Sequence, residues 1–368
     1  MNDREFEGLI EEVGDRSRQL VSEWERLADG VEAIPFLHPG FVLAWQRAFD
    51  RGPLLLVTVR RAGELVGALP LIRHGAVLAS PANWHTPAAG VLAEDDLVAR
   101  ELARILIGTH ARRISLAFID RADTITEAFR DEISGARYRI VERVLTRSPY
   151  LELVGDWAAF ESSLGSEVRS NLRRRRRRLE ERGAVTFEEQ DGRTRLDQLF
   201  GEVVDVERMG WKGEQGTAIG SREDTLLFYR CIASWAAARG WLRMHILRLD
   251  GRPIAAGLAL RSSGVQFHLK IGFDPAYRQL APGTLLMREY IHSAFTDGLR
   301  RIEMLGDDEA YKRVWCPETR ETIGLQAFAP SITGRLDRLA FGYGRPLAKR
   351  LTPGRLLARL PTTDGPRL

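Results

Sequence analysis

The chain is poor in the residues that would fix its function by chemistry alone. Two cysteines occur in 368 residues, Cys231 and Cys316, far apart and with no Cys/His metal spacing. That excludes a disulfide framework, suggests no zinc site, and leaves two packed or half-buried thiols as the expectation. No metal site is expected elsewhere. No apolar run approaches the roughly 18 residues of a membrane span, and the charged start of the chain lacks a signal-peptide core. A cytoplasmic protein is therefore expected. Net charge is also modest, at +4, and neither the exposed aromatics nor the recognisable fold of a nucleic-acid module stands out.

What is present is an ordinary globular composition, 44% hydrophobic and 28% charged, in a chain longer than one core usually fills. Two domains are expected, over 1–148 and 149–330, followed by a basic tail over 331–368. The tail carries Arg335, Arg338, Arg345, Lys349, Arg350, Arg355, Arg359 and Arg367 against Asp337 and Asp364. Its leucines, Leu336, Leu339, Leu347, Leu351, Leu356 and Leu357, suit an anionic membrane surface, and suit equally a short helix packed on the domain.

Periodicity predicts an amphipathic helix over Arg4–Leu27, from Phe6, Leu9, Ile10, Val13, Leu20, Trp24 and Leu27. A second helix is predicted over Phe41–Phe49. Leu54–Arg60 and Leu65–Ile72 read as a hairpin about Arg61-Ala-Gly-Glu64. Leu97–Ile107 reads as helical, Ile114–Ile119 and Tyr138–Leu145 as extended. Beyond Tyr150–Val154, Asp156 is a plausible N-cap for a helix from Trp157. A charged helix over Glu167–Arg182 ends at Gly183, and Val185–Glu189 reads as a strand. Helices over Leu196–Met209 and Asp224–Arg239 then precede three strands, Trp241–Leu249, Pro253–Arg261 and Gly264–Ile271. A helix over Leu285–Phe295 and a strand over Arg300–Leu305 follow. Residues 54–72 and 243–261 share the hairpin plan, so a duplicated domain is expected.

Candidate chemistry concentrates in the second half. Tyr277-Arg-Gln-Leu-Ala-Pro-Gly-Thr284 lies between a strand and a helix, where backbone N–H groups and the helix dipole converge on an anion. Arg278 can meet a phosphate, and Ala281 and Gly283 let the backbone approach a pyrophosphate. The same residues also fit a proline-glycine turn that merely starts a helix. Arg173–Arg178 is a run of six arginines that covers every face of a helix, either solvated or set against an acidic substrate, a phosphate of a cofactor, or nucleic acid. Trp211-Lys212-Gly213 suits a substrate-facing loop, and equally a core tryptophan at a helix end. Asp307, Tyr311 and Lys312 follow a strand at Gly306, as general acid–base groups or as a salt-bridged turn. His268 shares a polar strand face with Gln266 and Lys270 and is a further base candidate.

These pieces resemble, in order, the GNAT acetyltransferases of the CelD/BcsL type, tandem GNAT proteins related in fold to the Fem peptidoglycan aminoacyltransferases. The resemblance covers roughly Trp24–Ala327. It rests on Pro35-x-x-His38-Pro-x-Phe41-x-x-Ala44-Trp45, Leu65-Val-Gly-Ala-Leu-Pro-Leu71, Arg169-x-Asn171-Leu-Arg173-Arg174, Arg208-x-Gly210-Trp211-Lys212-Gly213, Ala281-Pro-Gly-Thr-Leu-Leu286 and Gly306-Asp-x-x-x-Tyr311-Lys312-x-x-Trp315. It implies an α/β (α+β) fold of two tandem GNAT-like domains, each a mixed, mostly antiparallel sheet flanked by helices. It also implies transfer of an acyl group from acyl-CoA, acetyl-CoA first, to an amine of an amino sugar, amino acid or peptide in polysaccharide or envelope synthesis. Backbone around Lys270, Ile271, Gly272 and Phe273 would polarise the thioester carbonyl, and Arg278, Ala281, Gly283 and Thr284 would hold the pyrophosphate. The usual turn of the family has glycine where Ala281 stands and lacks Pro282. Asp307 is the first base candidate, His268 the second, and Tyr311 the acid for the thiolate. Trp211, Lys212, Arg173 and Lys312 would contact the acceptor. Two alternatives remain: an aminoacyl-tRNA-dependent transferase gripping tRNA with its arginine helix, and a non-catalytic scaffold bound to an envelope-synthesis complex through the tail.

Overall fold

The computed structural model describes residues 6–14, 17–49, 51–209 and 219–344. Trp211, Lys212 and the tail beyond Gly344 lie outside the described residues. The described residues divide into two compact units: those within 1–46, 50–146 and 321–344 supply the first, those within 47–49 and 147–320 the second.

The first unit holds β1 (Phe6–Val13), α1 (Arg18–Gly30), α2 (Pro39–Phe49, its last turn counted with the second unit), β2 (Leu54–Arg61), β3 (Glu64–His74), β4 (Val77–Ala79), β5 (Leu92–Ala93), α3 (Asp96–Gly108), β6 (Arg113–Asp120), α4 (Thr124–Gly135) and the start of β7 (Arg139–Glu152). Its strands run in the order β1-β2-β3-β4-β6, with β4 and β6 parallel and the other pairs antiparallel. The helix expected over Arg4–Leu27 is a strand and a shorter helix. Phe6–Val13 pairs along β2, from Phe6↔Arg61 to Val13↔Leu54. Gly8 lies so close to α3 that a Cβ there would come within 2.4 Å of Ile105 Cδ1. Pairing to a free sheet edge has overridden the local three-to-four period. Val98, Leu102, Leu106 and Phe129 of α3 and α4 pack with Val57 and Leu69 of the sheet, while Trp24 and Leu27 of α1 pack with Leu54 and Leu56.

The second unit continues with the end of β7, then α5 (Trp157–Ser163), α6 (Ser166–Glu180), β8 (Val185–Gln190), α7 (Leu196–Met209), α8 (Glu223–Ala238), β9 (Leu242–Leu249), β10 (Arg252–Ser262), β11 (Val265–Phe273), α9 (Pro282–Thr296), β12 (Arg301–Glu303) and α10 (Ala310–Arg313). Asp156 caps α5, accepting from Ala159 N–H at 2.8 Å. Tyr138–Leu145 and Tyr150–Val154 merge into the single strand β7. The order is β7-β12-β11-β10-β9-β8, in which β11 and β12 are parallel and the rest antiparallel. Leu285, Tyr290 and Ile291 of α9 pack with Leu247, Ile254 and Ile302 of the sheet and with Leu172 and Leu179 of α6. β13 (Glu318–Phe328), which the sequence reading passes over, returns to pair antiparallel with β6, and α11 (Ile332–Leu339) follows it. Ile332 and Leu336 of α11 are exposed, and no helix among the described residues is long and apolar enough to cross a membrane.

Candidate active site in the second unit

The β11–β12 ladder covers only Val265–Phe267 against Arg301–Glu303, while β11 runs on to Phe273. Beyond β12 the chain turns at Leu305 and Gly306, both with positive φ, and leaves the sheet. Ser148 Oγ donates to Gly306 O at 2.7 Å, and Lys312 Nζ donates to Leu305 O at 2.7 Å and Asp307 O at 2.9 Å. Those bonds hold the diverging segment in place.

A cavity of about 230 Å³ opens where the two strands part. Ile271, Gly272 and Phe273 form one wall. Arg278, Ala281, Gly283, Thr284 and Met287 form the second, Glu309, Tyr311 and Trp315 the third, and Glu207 of α7 also reaches it. The structure thus brings together the cofactor candidates from Ile271 to Thr284, with Tyr311.

The second wall is the turn that starts α9. After the 3-10 turn Pro275–Leu280, Ala281 takes a left-handed conformation, φ +48°, and begins α9 with no side-chain cap. Thr284 and Leu285 N–H donate back to Ala281 O at 3.0 and 3.2 Å, and Pro282 has no N–H. Gly283 N–H is the donor left at that turn. A Cβ at Gly283 would stand 3.2 Å from Phe273 Cδ1, so the glycine keeps the turn close to β11. Arg278 is exposed and forms no ion pair among the described residues. A guanidinium, an N–H and the Thr284 hydroxyl on one wall, beside the apolar Ile271, Phe273, Met287 and Trp315, fit a phosphorylated ligand with an apolar arm.

Other candidates lie elsewhere. The Lys270 side chain turns off the wall and sits with Nζ 5.2 Å from the Tyr229 ring centroid. His268 is 5% exposed, beneath α9, with its ring 4.8 Å from that of Tyr290, and does not line the cavity. Asp307 is exposed and off the wall; its carbonyl serves the Lys312 clamp. Lys312 is buried, with its ammonium on two carbonyls and, at 2.9 Å, the Glu309 carboxylate. A side chain so engaged holds the turn and has no donor left for a substrate. Arg173 is exposed on α6 and does not line the cavity. Burial, then Glu309, pushes the Tyr311 phenol above its ordinary range, which keeps it a proton donor at neutral pH. Burial pushes the Cys316 thiol up to about 12, so it is no nucleophile.

Sequence reasoning missed Glu207. Its carboxylate is 1% exposed on the cavity wall, and its only signal in the sequence is a glutamate in the last turn of a helix, where the dipole disfavours a negative charge. In the first unit Glu25, Asp29 and His38 bring ligand atoms within 4.8 Å of one another. The His38 ring nitrogens there lie 3.0 Å from the Glu25 carboxylate and 3.3 Å from Ala33 O, a set of contacts that ties α1 to the start of α2.

A family model described as an acetyltransferase (GNAT) domain matches residues 166–313, the stretch that builds the cavity except for Trp315. This stretch is therefore similar in sequence to GNAT acetyltransferase domains. No curated relative matches the sequence. Among solved structures the chain is similar to FemX, at 11% identity and a TM-score of 0.62, over 89% of this chain and 99% of that one. It is also similar to L-PGS from Bacillus licheniformis, at 14% identity and a TM-score of 0.54, over 92% and 99%. A C-terminal DUF2156 domain from Agrobacterium fabrum gives 12% and 0.55, over 88% and 96%. At such identities these likenesses show the fold alone. The fold class is α/β (α+β), two GNAT-like halves in tandem, each a mixed, mostly antiparallel sheet flanked by helices.

Proposed function

We propose that the GNAT domain transfers an acyl group from acyl-CoA, acetyl-CoA in the simplest case, to an amine, and that the protein is of the CelD/BcsL type. One observation carries the reading: a helix start without a side-chain cap and an arginine without an ion pair among the described residues share the wall of an apolar cavity. Arg278, the Gly283 N–H and the Thr284 hydroxyl would hold the pyrophosphate of the donor. The backbone of Lys270–Phe273 would seat the pantetheine arm and polarise the thioester carbonyl. Ile271, Phe273, Met287 and Trp315 would exclude water from the acyl group, and Tyr311 would supply the proton that the departing thiolate takes. The acceptor would be an amino sugar, amino acid or peptide of an envelope or polysaccharide pathway. Trp211 and Lys212 would contact it, and the basic tail would bring the enzyme to an anionic membrane surface or an envelope-synthesis complex.

A second reading, an aminoacyl-tRNA-dependent transferase, is favoured by α6. There Arg173, Arg175 and Arg178 form no ion pair among the described residues, and the helix packs against the turn Pro275–Leu280. Calorimetry with acetyl-CoA and with an aminoacyl-tRNA, each at two salt concentrations, separates the two. Saturable binding of acetyl-CoA is the expected result. Binding of the tRNA alone, with a steep salt slope, would replace the first reading by the second.

A further inference from the structure

Glu207 has one carboxylate oxygen that the fold uses and one that it does not. Oε2 accepts from Ile219 N–H at 2.7 Å, whereas Oε1 is fully buried and has no hydrogen-bond partner among the described residues. A buried carboxylate oxygen left without a donor is costly, and native structures keep such groups where they have a task. The placement is held tightly. Gly272 presses the end of α7 onto β11, and a Cβ there would come within 2.5 Å of Glu207 Cα. The carboxylate therefore stands beside the stretch of β11 that would polarise the thioester carbonyl.

The other acids at this site are committed. Glu309 holds Lys312, and Asp307 lies off the wall. Among the described residues, the titratable groups around Glu207 are Tyr229 on α8, Arg278 on the turn, and Glu309 and Tyr311 beyond β12.

We propose that Glu207 is the catalytic base and that the acceptor is a primary amine that enters as its ammonium, drawn to this buried carboxylate. The assignment rests on the acyl-CoA reading. Glu207 takes one proton from the ammonium, and the freed nitrogen lone pair forms the C–N bond to the thioester carbon. The C–S bond then breaks, and its electron pair leaves on sulfur. The thiolate takes a proton from Tyr311, which regains one from the nitrogen, and Glu207 returns its proton to solvent. The balance is ammonium plus acyl thioester to amide, thiol and one released proton.

The test is Glu207→Gln, which keeps an oxygen for Ile219 N–H and so keeps the loop contact. Acetyl-CoA affinity is read by calorimetry. Thiol release from acetyl-CoA is read across pH with water alone and with glucosamine, L-lysine or glycylglycine, and Glu207→Asp is run beside it. The expected result is wild-type affinity within about threefold and thiol release down about 100-fold or more. E207D should recover part of the rate. Wild-type thiol release in E207Q overturns the assignment and leaves the donor reading standing. Joint loss of affinity and melting temperature in both variants also overturns it, in favour of a structural glutamate. A wild-type protein that does not bind acetyl-CoA overturns the donor reading, and this assignment with it.

Discussion

Each unit places a hairpin before a long helix, and the two helices start in opposite ways. In the first unit Asp95 caps α3, accepting from Val98 N–H at 2.9 Å and pairing with Arg61 at 2.8 Å. In the second, Ala281 stands at the corresponding start of α9, offers no side-chain cap, and opens on a cavity of about 230 Å³. A cavity of the first unit, beside Phe36, Phe41 and Leu69, measures only about 20 Å³. A helix N-terminus attracts negative charge in either setting. Where the chain supplies its own carboxylate the helix start is capped; where it supplies alanine the start has no side-chain cap.

The largest effect on stability should come from the polar support under α9, which the apolar contact of α3 with its sheet lacks. Glu189 bonds His245 at 3.1 Å, Arg243 at 3.2 Å, Arg261 at 3.0 Å and Ser293 of α9 at 2.9 Å. Glu189→Ala would leave two half-buried arginines without this carboxylate and should cost about 2 kcal/mol in urea unfolding. Burial alone would raise the Glu189 carboxyl, but the His245 hydrogen bond, with Arg261 and Ser293, holds it at about 2. A carboxyl lowered in the folded state stabilises above its unfolded value of 4.5, and that contribution is lost as pH falls toward 2. Desolvation lowers His245, so its contribution is present above 6.5 and fades below it. Unfolding free energy should therefore fall with acid from pH 6.5 downward, and E189A should flatten the part of the slope below 4.5. An unchanged slope would remove Glu189 from the account.

Ala281→Asp would turn the second helix start into the first. Aspartate tolerates a left-handed backbone better than most residues, and its carboxylate would occupy the anion seat. Acetyl-CoA affinity should fall about 100-fold, or roughly 2.7 kcal/mol, with the protein still folded by circular dichroism. The reverse change, Asp95→Ala, should cost about 1 kcal/mol of stability as a lost cap and leave acetyl-CoA affinity as it was. An effect of D95A on that affinity would break the contrast between the units.

The sequence makes the second helix start legible because the signals there are local: a strand, a glycine-bearing turn and an amphipathic run within about thirty residues. The hairpins of both units are legible for the same reason. β1 is not, since Phe6, Ile10 and Val13 satisfy a helical period and only the free edge of β2 decides otherwise. β13 is not, since its partner β6 lies some two hundred residues earlier. Lys312 looks like a substrate contact until the positive-φ turn at Leu305 and Gly306 directs its ammonium inward. Glu207 depends on the close approach of α7 to Gly272, which no spacing in the chain encodes.

The central claim is that the turn from Arg278 to Thr284 holds the pyrophosphate of an acyl-CoA, and calorimetric titration of acetyl-CoA into the wild-type protein and Arg278→Ala tests it most directly. The account predicts one saturable site per chain, weakened about tenfold in the variant by the loss of a charge-assisted contact. Absence of saturable binding, or equal affinity in the two proteins, would contradict it.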